Sequence, residues 1–275
     1  MAIPKKIWFL WFQGLEQAPL VVKKCHQSWS EYNPNWELIC LDNNNFKNYV
    51  DIMLPEEKFK QLPGAKKANL VRLELLSKYG GVWADATSLC RVPLDSWLED
   101  YTQAGFFAFT YKTRGYGWIL NWFLASEPSN PITVSMNQTL TAFYRDNKFY
   151  HGGIIAKKRI KFLEKFLNRK YKTTRFWSSW FVRKIFKVYP YFIFHYIFAN
   201  LINSDRELLK QYQLMKPYPP NGEILGRYGL LRPLTPELKE RIDSRIDPVY
   251  KLTYKYNQEK YSSSSILYYL LEKTE

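Results

Sequence analysis

A chain of 275 residues can form one large domain or two small ones, and no Ser-, Gly- or Pro-rich linker divides this one. Its hydrophobic content of 46%, with 18% aromatic residues, excludes an intrinsically disordered protein. The three cysteines lack metal-ligand spacing, which argues against a zinc site, and the chain begins without the pattern of a cleavable signal peptide. We therefore expect a cytoplasmic protein with reduced cysteines, whose net charge of +15 favours an anionic partner.

The first third of the chain alternates between strand and helix patterns. Short apolar runs predict strands at residues 6–12, 36–41 and 82–84, and apolar residues at helical spacing predict helices at residues 18–32 and 65–79. Successive β-α-β units imply a mostly parallel sheet with right-handed crossovers, as in many nucleotide-binding proteins. Neither a Gly-x-Gly-x-x-Gly motif nor a P-loop is present, so the sequence indicates neither dinucleotide nor P-loop chemistry.

Asp85 stands directly after the predicted strand at residues 82–84. Gly80 and Gly81 end the preceding helix and let the chain reverse. Because ligands of open α/β sheets bind outside the carboxyl ends of the strands, Asp85 is predicted to contact a nucleotide or a metal. The alternative is that Asp85 only caps a turn.

After Asp85 the pattern is less regular. Strands are predicted at residues 105–110, 118–125 and 152–156, and helices at residues 131–144 and 205–213. The segment at residues 248–255 reads as a strand or an extended tail.

Residues 157–187, the basic aromatic segment, combine positive charge with aromatic side chains. Twelve Lys or Arg residues against the single Glu164 give this segment a net charge of +11. Interleaved with these charges are the apolar side chains of Phe162, Phe166, Phe176, Trp177, Trp180, Phe181, Ile185 and Phe186. Such a mixture predicts a surface helix on anionic lipid, with nucleic acid and a plain solvated face as the competing interpretations. The uncharged run at residues 188–204 is shorter than the roughly 20 apolar residues that span a bilayer.

Five blocks of the sequence resemble one known family. They are residues 3–8 (IPKKIW), 33–38 (NPNWEL) with Asp42, 69–87 (NLVRLELLSKYGGVWADAT), 191–198 (YFIFHYIF) and 251–255 (KLTYK). Together they resemble the capsular polysaccharide synthesis family of glycosyltransferases, a relative of the family 32 transferases that carry a Ser-Asp-x-x-Arg helix and a DXD strand end. The resemblance covers most of the chain, and the central block is the most specific.

This resemblance implies a GT-A fold, a nucleotide-sugar donor and a divalent cation such as Mn²⁺ or Mg²⁺. Asp85 would be the catalytic carboxylate, binding the metal directly or through water, or holding the donor ribose. The donor site would also include Trp8, Asp42, Asn69, Arg72, Thr87, Lys251 and Lys255. The alternative for Lys251 and Lys255 is a solvated basic strand.

Two positions depart from the pattern of the related families. Thr87 stands where the commoner motif has its second Asp, so metal binding would be weak, shared with another acid or dispensable. Asn69 follows Ala68 where the relatives have Ser-Asp, so Arg72 would lose a partner and could face the donor phosphates. Asn69 and Arg72 could instead be helix-surface residues in an ordinary packing contact.

His195 is the candidate acid/base group or metal ligand within the uncharged run, with a buried structural histidine as the alternative. An inverting reaction needs a general base on the acceptor hydroxyl, for which Asp42, Asp95, Glu127 and Asp146 are all candidates. A retaining reaction needs no such base if the leaving diphosphate accepts the proton. The sequence leaves both stereochemical outcomes open.

The prediction is one α/β domain of GT-A type, residues 1–275, with a mixed, mostly parallel sheet flanked by helices and a basic aromatic helical C-terminal elaboration. Residues 1–156 would bind the nucleotide sugar, residues 157–215 the membrane and acceptor, and residues 216–275 would close over the donor site. The enzyme would transfer a hexose such as galactose, glucose or galactofuranose from a UDP-sugar to a lipid-linked glycan in bacterial capsule assembly. It would lie on the anionic inner face of the cell membrane, without a nucleic-acid partner. The alternative is a non-catalytic glycan- or lipid-binding protein with a degenerate site.

Overall fold

The computed structural model describes residues 2–111, 119–150, 152–222, 229–256 and 262–272. The strands are β1 (Lys6–Leu10), β2 (Glu37–Leu41), β3 (Gly81–Asp85), β4 (Ser88–Cys90), β5 (Phe106–Thr110), β6 (Ile119–Ser126) and β7 (Val249–Lys251). The α-helices are α1 (Leu20–Tyr32), α2 (Glu56–Gln61), α3 (Gly64–Tyr79), α4 (Pro131–Arg145), α5 (Gly153–Leu167), α6 (Ile193–Ser204), α7 (Arg206–Gln213), α8 (Pro236–Asp243) and α9 (Ile266–Glu272). The chain also forms 3-10 helices at Phe46–Asn48, Leu94–Ser96, Leu98–Tyr101 and Tyr171–Ser178, and a π-helix at Val182–Phe186.

The central sheet has the strand order β2-β1-β3-β6-β5. β1 pairs in parallel with both β2 and β3, whereas β6 runs antiparallel between β3 and β5. Leu10 lies opposite both Leu41 and Asp85, so the carboxyl ends of the three parallel strands meet at one edge. The predicted mixed, mostly parallel α/β architecture is confirmed.

The α3–β3 unit explains how the central block of the sequence forms a site. Gly80 has φ 66° and Gly81 has φ 93°, and a Cβ on either would lie 2.7 Å from a backbone oxygen, so only glycine fits this reversal. Arg72 lies eight residues before Gly80, about 12 Å along a helix. Asp85 lies four residues after Gly81, about 13 Å along a strand. Because the helix and the strand cover nearly the same distance on either side of the two glycines, Arg72 lies beside Asp85.

Most elements lie where the sequence predicts them, but the strand prediction at residues 152–156 is wrong. Helix α5 starts at Gly153, and Gly152 and Gly153 have φ values of 83° and 79°. Ile154 and Ile155 are exposed, so this apolar run lacks the burial that an interior strand requires. Trp118, at the start of another predicted strand, lies outside the described residues.

A small second sheet ties the tail to the central block. β7 pairs antiparallel with β4, with Lys251 opposite Ser88. The N–H of Leu252 donates to the carbonyl of Thr87 at 2.7 Å, which extends this pairing past the end of the strand. The extended segment predicted at residues 248–255 is therefore confirmed as a strand over Val249–Lys251 only.

The helices cover the sheet and contact one another. α3 contacts β1, β3, β6 and α4, while α6 packs against α4, α7 and β6. Part of the segment at residues 157–215 is thus packed on the core, and its division from residues 1–156 and 216–275 stays a prediction. None of the helices in the described ranges combines the length and the apolar character needed to cross a membrane.

Candidate functional site

Asp85 occupies the carboxyl end of β3, with 27% of its side chain exposed. Its Oδ1 accepts hydrogen bonds from Arg72 Nη2 at 2.6 Å and from Trp83 Nε1 at 2.8 Å. Its Oδ2 accepts one from Lys251 Nζ at 2.8 Å. Trp83 and Asp85, two residues apart on the strand, lie on the same face of the sheet. Asp85 is therefore the centre of a network of donors rather than a simple turn cap.

The ionisation of Asp85 follows from these contacts. Burial on its own would raise the pKa of the carboxyl, but the charges of Lys251 and Arg72 and the hydrogen bonds from Lys251 and Trp83 outweigh it. The pKa of Asp85 therefore lies below its ordinary value, and the group is a carboxylate at neutral pH.

Arg72 holds this carboxylate from helix α3. Its side chain is only 4% exposed, and its guanidinium lies over the ring of Trp83 at 4.7 Å. Its Nη1 donates to Asn69 Oδ1 at 2.7 Å, and Asn121 donates to the same oxygen at 3.0 Å. Arg72 thus keeps a partner at residue 69, and the alternative in which it turns away to face the donor phosphates does not fit these contacts.

Lys251 reaches Asp85 from the tail. Its Nζ also donates to Thr87 Oγ1 at 2.9 Å, and 22% of its side chain is exposed. The ammonium therefore lies between the side chains of Asp85 and Thr87, with part of its surface open to solvent. The predicted site residues Asn69, Arg72, Asp85, Thr87 and Lys251 are brought together in one connected network.

Lys66 is a member of this region that sequence reasoning missed. It precedes Asn69 by three residues on α3 and lies about 9 Å along the helix axis from Arg72, beyond the edge of the sheet. Only 6% of the residue is exposed. Its Nζ donates to the carbonyl of Tyr191 at 2.5 Å and lies 5.0 Å from the centre of the Tyr191 ring. The three-residue spacing of residues 66, 69 and 72 was the sequence signal that could have identified Lys66.

The environment of Lys66 contains no compensating acid among the residues that the structure describes. Its contacts there are a backbone carbonyl and the rings of Tyr189 and Tyr191. Burial lowers the pKa of Lys66 to about 8. Burial also lowers the pKa of Arg72, although the charge of Asp85 and its hydrogen bond oppose that lowering.

Asp42 lies at the same edge of the sheet, after β2. Its Oδ1 accepts from the backbone N–H groups of Asn44 and Asn45, which fixes the turn there. β1 separates β2 from β3, so Asp42 and Asp85 are roughly 10 Å apart across the strands. Its Oδ2 lies 3.7 Å from the position that a Cβ on Gly14 would take, so it borders the loop after β1.

Trp11 lies in that loop and was also missed, because the predicted strand at residues 6–12 included it. Its backbone N–H bonds the carbonyl of Leu41, and its ring meets Tyr254 edge-on at 5.1 Å. Its indole Nε1 is buried and has no acceptor within the described ranges. Trp11 thus offers an aromatic ring with an unused donor between the ends of β2 and β3.

Three predicted site residues lie outside this network. Trp8 is buried in the core, where its Nε1 donates to the carbonyl of Gly80. His195 is buried on α6 beside the rings of Phe192 and Phe194. Lys255 is exposed, and its ammonium makes no hydrogen bond or ion pair in the described part of the chain. The structure therefore gives none of the three a place in the Asp85 network.

Most of the carboxylates considered as general bases also lie away from the Asp85 network. Asp95 accepts from Lys5, which precedes β1, and so lies at the opposite edge of the sheet. Glu127 follows the end of β6, where Ser126 pairs with Gly81 at the start of β3. Asp146 pairs with its neighbour Arg145 on an exposed surface at the end of α4. Of these candidates, only Asp42 lies at the carboxyl edge.

The residues present do not fit the Mn²⁺ or Mg²⁺ that the resemblance implies. Such ions need several oxygen ligands, usually including carboxylates. Here Asp85 is the lone acid of its network, both its oxygens accept from N–H groups, and Thr87 already accepts from an ammonium. In the described residues, no three His, Cys, Asp or Glu side chains are grouped so as to hold a metal.

The basic aromatic segment forms helical surface rather than one regular helix. Trp177 is wrong as a lipid-contact candidate, because it is fully buried and donates to Asn168 Oδ1 at 2.8 Å. Trp180 and Phe181 are 62% and 55% exposed. We define the aromatic face as Phe162, Phe166, Trp180, Phe181, Ile185 and Phe186. Its rings touch in the series Phe166, Phe162, Phe186 and Phe181, at centroid distances of 5.3 to 6.3 Å.

The family model and the curated relatives that match this chain are named for capsular polysaccharide synthesis or for glycosyl transfer. The family model described as "Capsular polysaccharide synthesis protein" matches residues 2–152. An uncharacterized glycosyltransferase, L373, of Acanthamoeba polyphaga mimivirus is 29% identical over 137 residues, which are 47% of this chain and 52% of that protein. The O-glycosyltransferase braB of Annulohypoxylon truncatum is 30% identical over 149 residues, or 46% of this chain and 35% of that protein.

Two further similarities are more distant. The initiation-specific alpha-1,6-mannosyltransferase of Saccharomyces cerevisiae is 26% identical over 104 residues, or 34% of this chain and 22% of that protein. The solved PaToxG glycosyltransferase is 16% identical with a TM-score of 0.40, covering 88% of this chain and 84% of its own, which is too low to establish a shared fold. The matched regions span about half the length, or less, of the curated relatives.

Proposed function

This chain belongs to the capsular polysaccharide synthesis protein family, and from that premise we propose that it is a glycosyltransferase of GT-A type. The donor is a UDP-sugar that carries a hexose, and the acceptor is a lipid-linked glycan. The observation that carries this proposal is the charged network at the carboxyl edge of the sheet, where open α/β folds bind their ligands.

The charges of this edge suit a nucleoside diphosphate. Arg72 and Lys251 contact Asp85 directly, and Lys66 extends the same row of α3 beyond the sheet. Three cations and one carboxylate leave two positive charges, which match the two negative charges of a sugar-linked diphosphate. As the sugar bond breaks, charge builds up on the leaving phosphate oxygen, and fixed cations nearby stabilise it.

The nucleoside of the donor fits the part of the carboxyl edge that lies near Asp42 and Trp11. Asp42 has a carboxylate oxygen facing the loop after β1, where a ribose hydroxyl could donate to it. Trp11 and the exposed Tyr254 supply aromatic surface for a base, and an unused indole N–H lies beside it. The distance of roughly 10 Å between Asp42 and Asp85 leaves room for a ribose and diphosphate to lie along the edge.

Calorimetric titration of UDP tests this donor site. We expect Trp11→Ala to lower the UDP affinity by about 30-fold, the middle of the range for losing one stacked base. Tyr268→Ala, which removes a partly exposed ring on α9, is the matched control and should leave the affinity unchanged.

The result can also contradict the proposal. Tight binding of GDP in place of UDP would reassign the donor, and no binding of any nucleoside diphosphate would reject the site. UDP binding without hydrolysis or transfer from any UDP-sugar would favour the non-catalytic binding protein.

We further propose that the aromatic face attaches the enzyme to anionic membrane on the cytoplasmic side, where a lipid-linked acceptor resides. The supporting observation is the combination of exposed rings with the net charge of +11 in the same segment. Arg169 lies over the ring of Phe166 at 5.5 Å, so a cation accompanies the apolar surface directly. Aromatic rings beside Lys and Arg are typical of the headgroup region of a bilayer.

Flotation with anionic vesicles tests the attachment. Trp180→Ser combined with Phe181→Ser should weaken vesicle binding at least about tenfold, because each buried ring contributes on the order of 1.5 to 3 kcal/mol. The control, Met53→Ser with Ile246→Ser, removes two equally exposed apolar side chains elsewhere and should float like the parent protein. Equal flotation of both double variants, or binding to nucleic acid but not to vesicles, would contradict the proposal.

A further inference from the structure

We propose that the ammonium of Lys251 takes the place of a divalent cation at the donor site, so that the diphosphate binds without metal. The inference rests on the proposed function for its ligand. It starts from the observation that the side chains around Asp85 do not fit the divalent metal that the family resemblance implies.

The position of Lys251 is the first argument. Its Nζ lies 2.8 Å from Asp85 Oδ2 and 2.9 Å from Thr87 Oγ1. These are the two side chains, two residues apart at and just beyond the end of β3, that a strand-end motif would present to a cation. A lysine ammonium has three donors, and these two contacts leave one for a phosphate oxygen. The 22% exposure of the side chain gives that donor access to a ligand.

The second argument is the balance of charge. A divalent cation held by two carboxylates contributes no net charge, whereas here threonine replaces the second acid. Lys251 with Asp85 is likewise neutral, and the positive charges of Arg72 and Lys66 remain at this edge, where they offset the two charges of the diphosphate without a direct contact from Arg72. Threonine at residue 87 therefore matches lysine at residue 251. A second carboxylate at residue 87 would need a second positive charge to keep this position neutral.

The third argument is that Lys251 is held in place by backbone pairing. It is the last residue of β7 and lies opposite Ser88, directly after Thr87. The hydrogen bond from Leu252 N–H to the Thr87 carbonyl, at 2.7 Å, fixes the next residue as well. A charge fixed before the ligand arrives needs little rearrangement to stabilise a developing phosphate charge.

Manganese binding without nucleotide is the first arm of the test. Electron paramagnetic resonance should show no Mn²⁺ site in the parent protein up to millimolar metal. The double variant Thr87→Asp with Lys251→Met has two carboxylates and no ammonium, and it should gain a site. Manganese bound to the parent protein and released by Asp85→Asn would overturn the proposal, as would a double variant that folds but binds no manganese.

UDP titration, with EDTA and then with Mn²⁺, is the second arm. The parent protein should bind UDP equally well in both, and Lys251→Met should lose about 10- to 100-fold in affinity, as expected for one charge-assisted hydrogen bond. Lys239→Met breaks another close lysine–aspartate pair, with Asp243 on α8, and should bind UDP like the parent. Thermal unfolding of each variant identifies any that fail to fold.

The outcomes separate this inference from the proposed function. A tenfold or greater gain in UDP affinity on adding Mn²⁺ to the parent protein would overturn the role of Lys251 while supporting the donor site. If no nucleoside diphosphate binds under either condition, the proposed function fails, and the manganese arm alone decides whether Lys251 occupies the cation position.

Discussion

Replacing Asp85 by asparagine should lower the free energy of unfolding by about 3 kcal/mol and reduce turnover of the UDP-sugar at least about 100-fold. The variant keeps the size of the side chain but leaves the guanidinium of Arg72, which is 4% exposed, without a countercharge. Removing one partner of a buried ion pair typically costs 3 to 5 kcal/mol, and the partial exposure of Asp85 favours the lower end. Chemical denaturation and donor hydrolysis measure the two effects.

Asp146→Asn is the matched control, because Asp146 pairs with Arg145 on an exposed surface. Its effect on stability should stay below about 1 kcal/mol. The two variants should also differ at low pH. Since the pKa of Asp85 is lowered in the folded protein, its stabilisation is present above the unfolded value of about 3.9 and is lost as pH falls through the folded value. Equal stability of the two variants would contradict the role given to Asp85.

Replacing Lys66 by methionine should make the protein more stable at neutral pH by about 2 to 3 kcal/mol. The pKa of Lys66 is about 8 in the folded protein, against about 10.4 for an unfolded lysine. Between these values the unfolded chain binds more protons, so the stability of the parent protein rises with pH across that window. Below pH 8 the full cost of burying the charge is present, and methionine removes it.

The same variant should bind UDP more weakly, because the edge loses one of its three cations. Denaturation curves at pH 7 and pH 10, with UDP titration at pH 7, measure both effects. Lys78→Met removes an exposed lysine from the last turn of the same helix and should keep both the rise in stability from pH 7 to pH 10 and the UDP affinity of the parent protein. A Lys66→Met protein that is less stable at pH 7, or that binds UDP unchanged, would show that the lysine serves packing alone.

The local part of the site could be predicted from the sequence. The apolar strand, the two glycines and the helical spacing of residues 69 and 72 all lie within twenty residues. Chain geometry alone then brings Arg72 back to Asp85, since the helix and strand distances from the glycines are nearly equal. The hydrogen bonds of Asn69 and Arg72 confirm that these residues share one network, which replaces the interpretation as an ordinary surface contact.

The remaining features depend on contacts that no local pattern encodes. Lys66 and Lys67 are adjacent in the sequence, and only the approach of Tyr191, 125 residues later, determines that Lys66 is buried. Trp177 resembles its exposed neighbour Trp180 in the sequence, but its indole N–H has a partner at Asn168 within the folded segment. Lys251 and Asp85 are in contact although they lie 166 residues apart in the sequence. The family resemblance predicted Lys251 as a donor-site residue, but only the structure shows that it contacts Asp85.

The pairing of β7 with β4 also has a consequence for synthesis of the protein on the ribosome. The region matched by the family model, residues 2–152, contains Asp85 and Arg72 but neither Tyr191 nor Lys251. A nascent chain can therefore form the α3–β3 unit early and complete the charged edge only after residue 251 has emerged. We expect translation to make the contact between Arg72 and Asp85 possible first and that between Lys251 and Asp85 last, so that the charged edge is completed only late in synthesis.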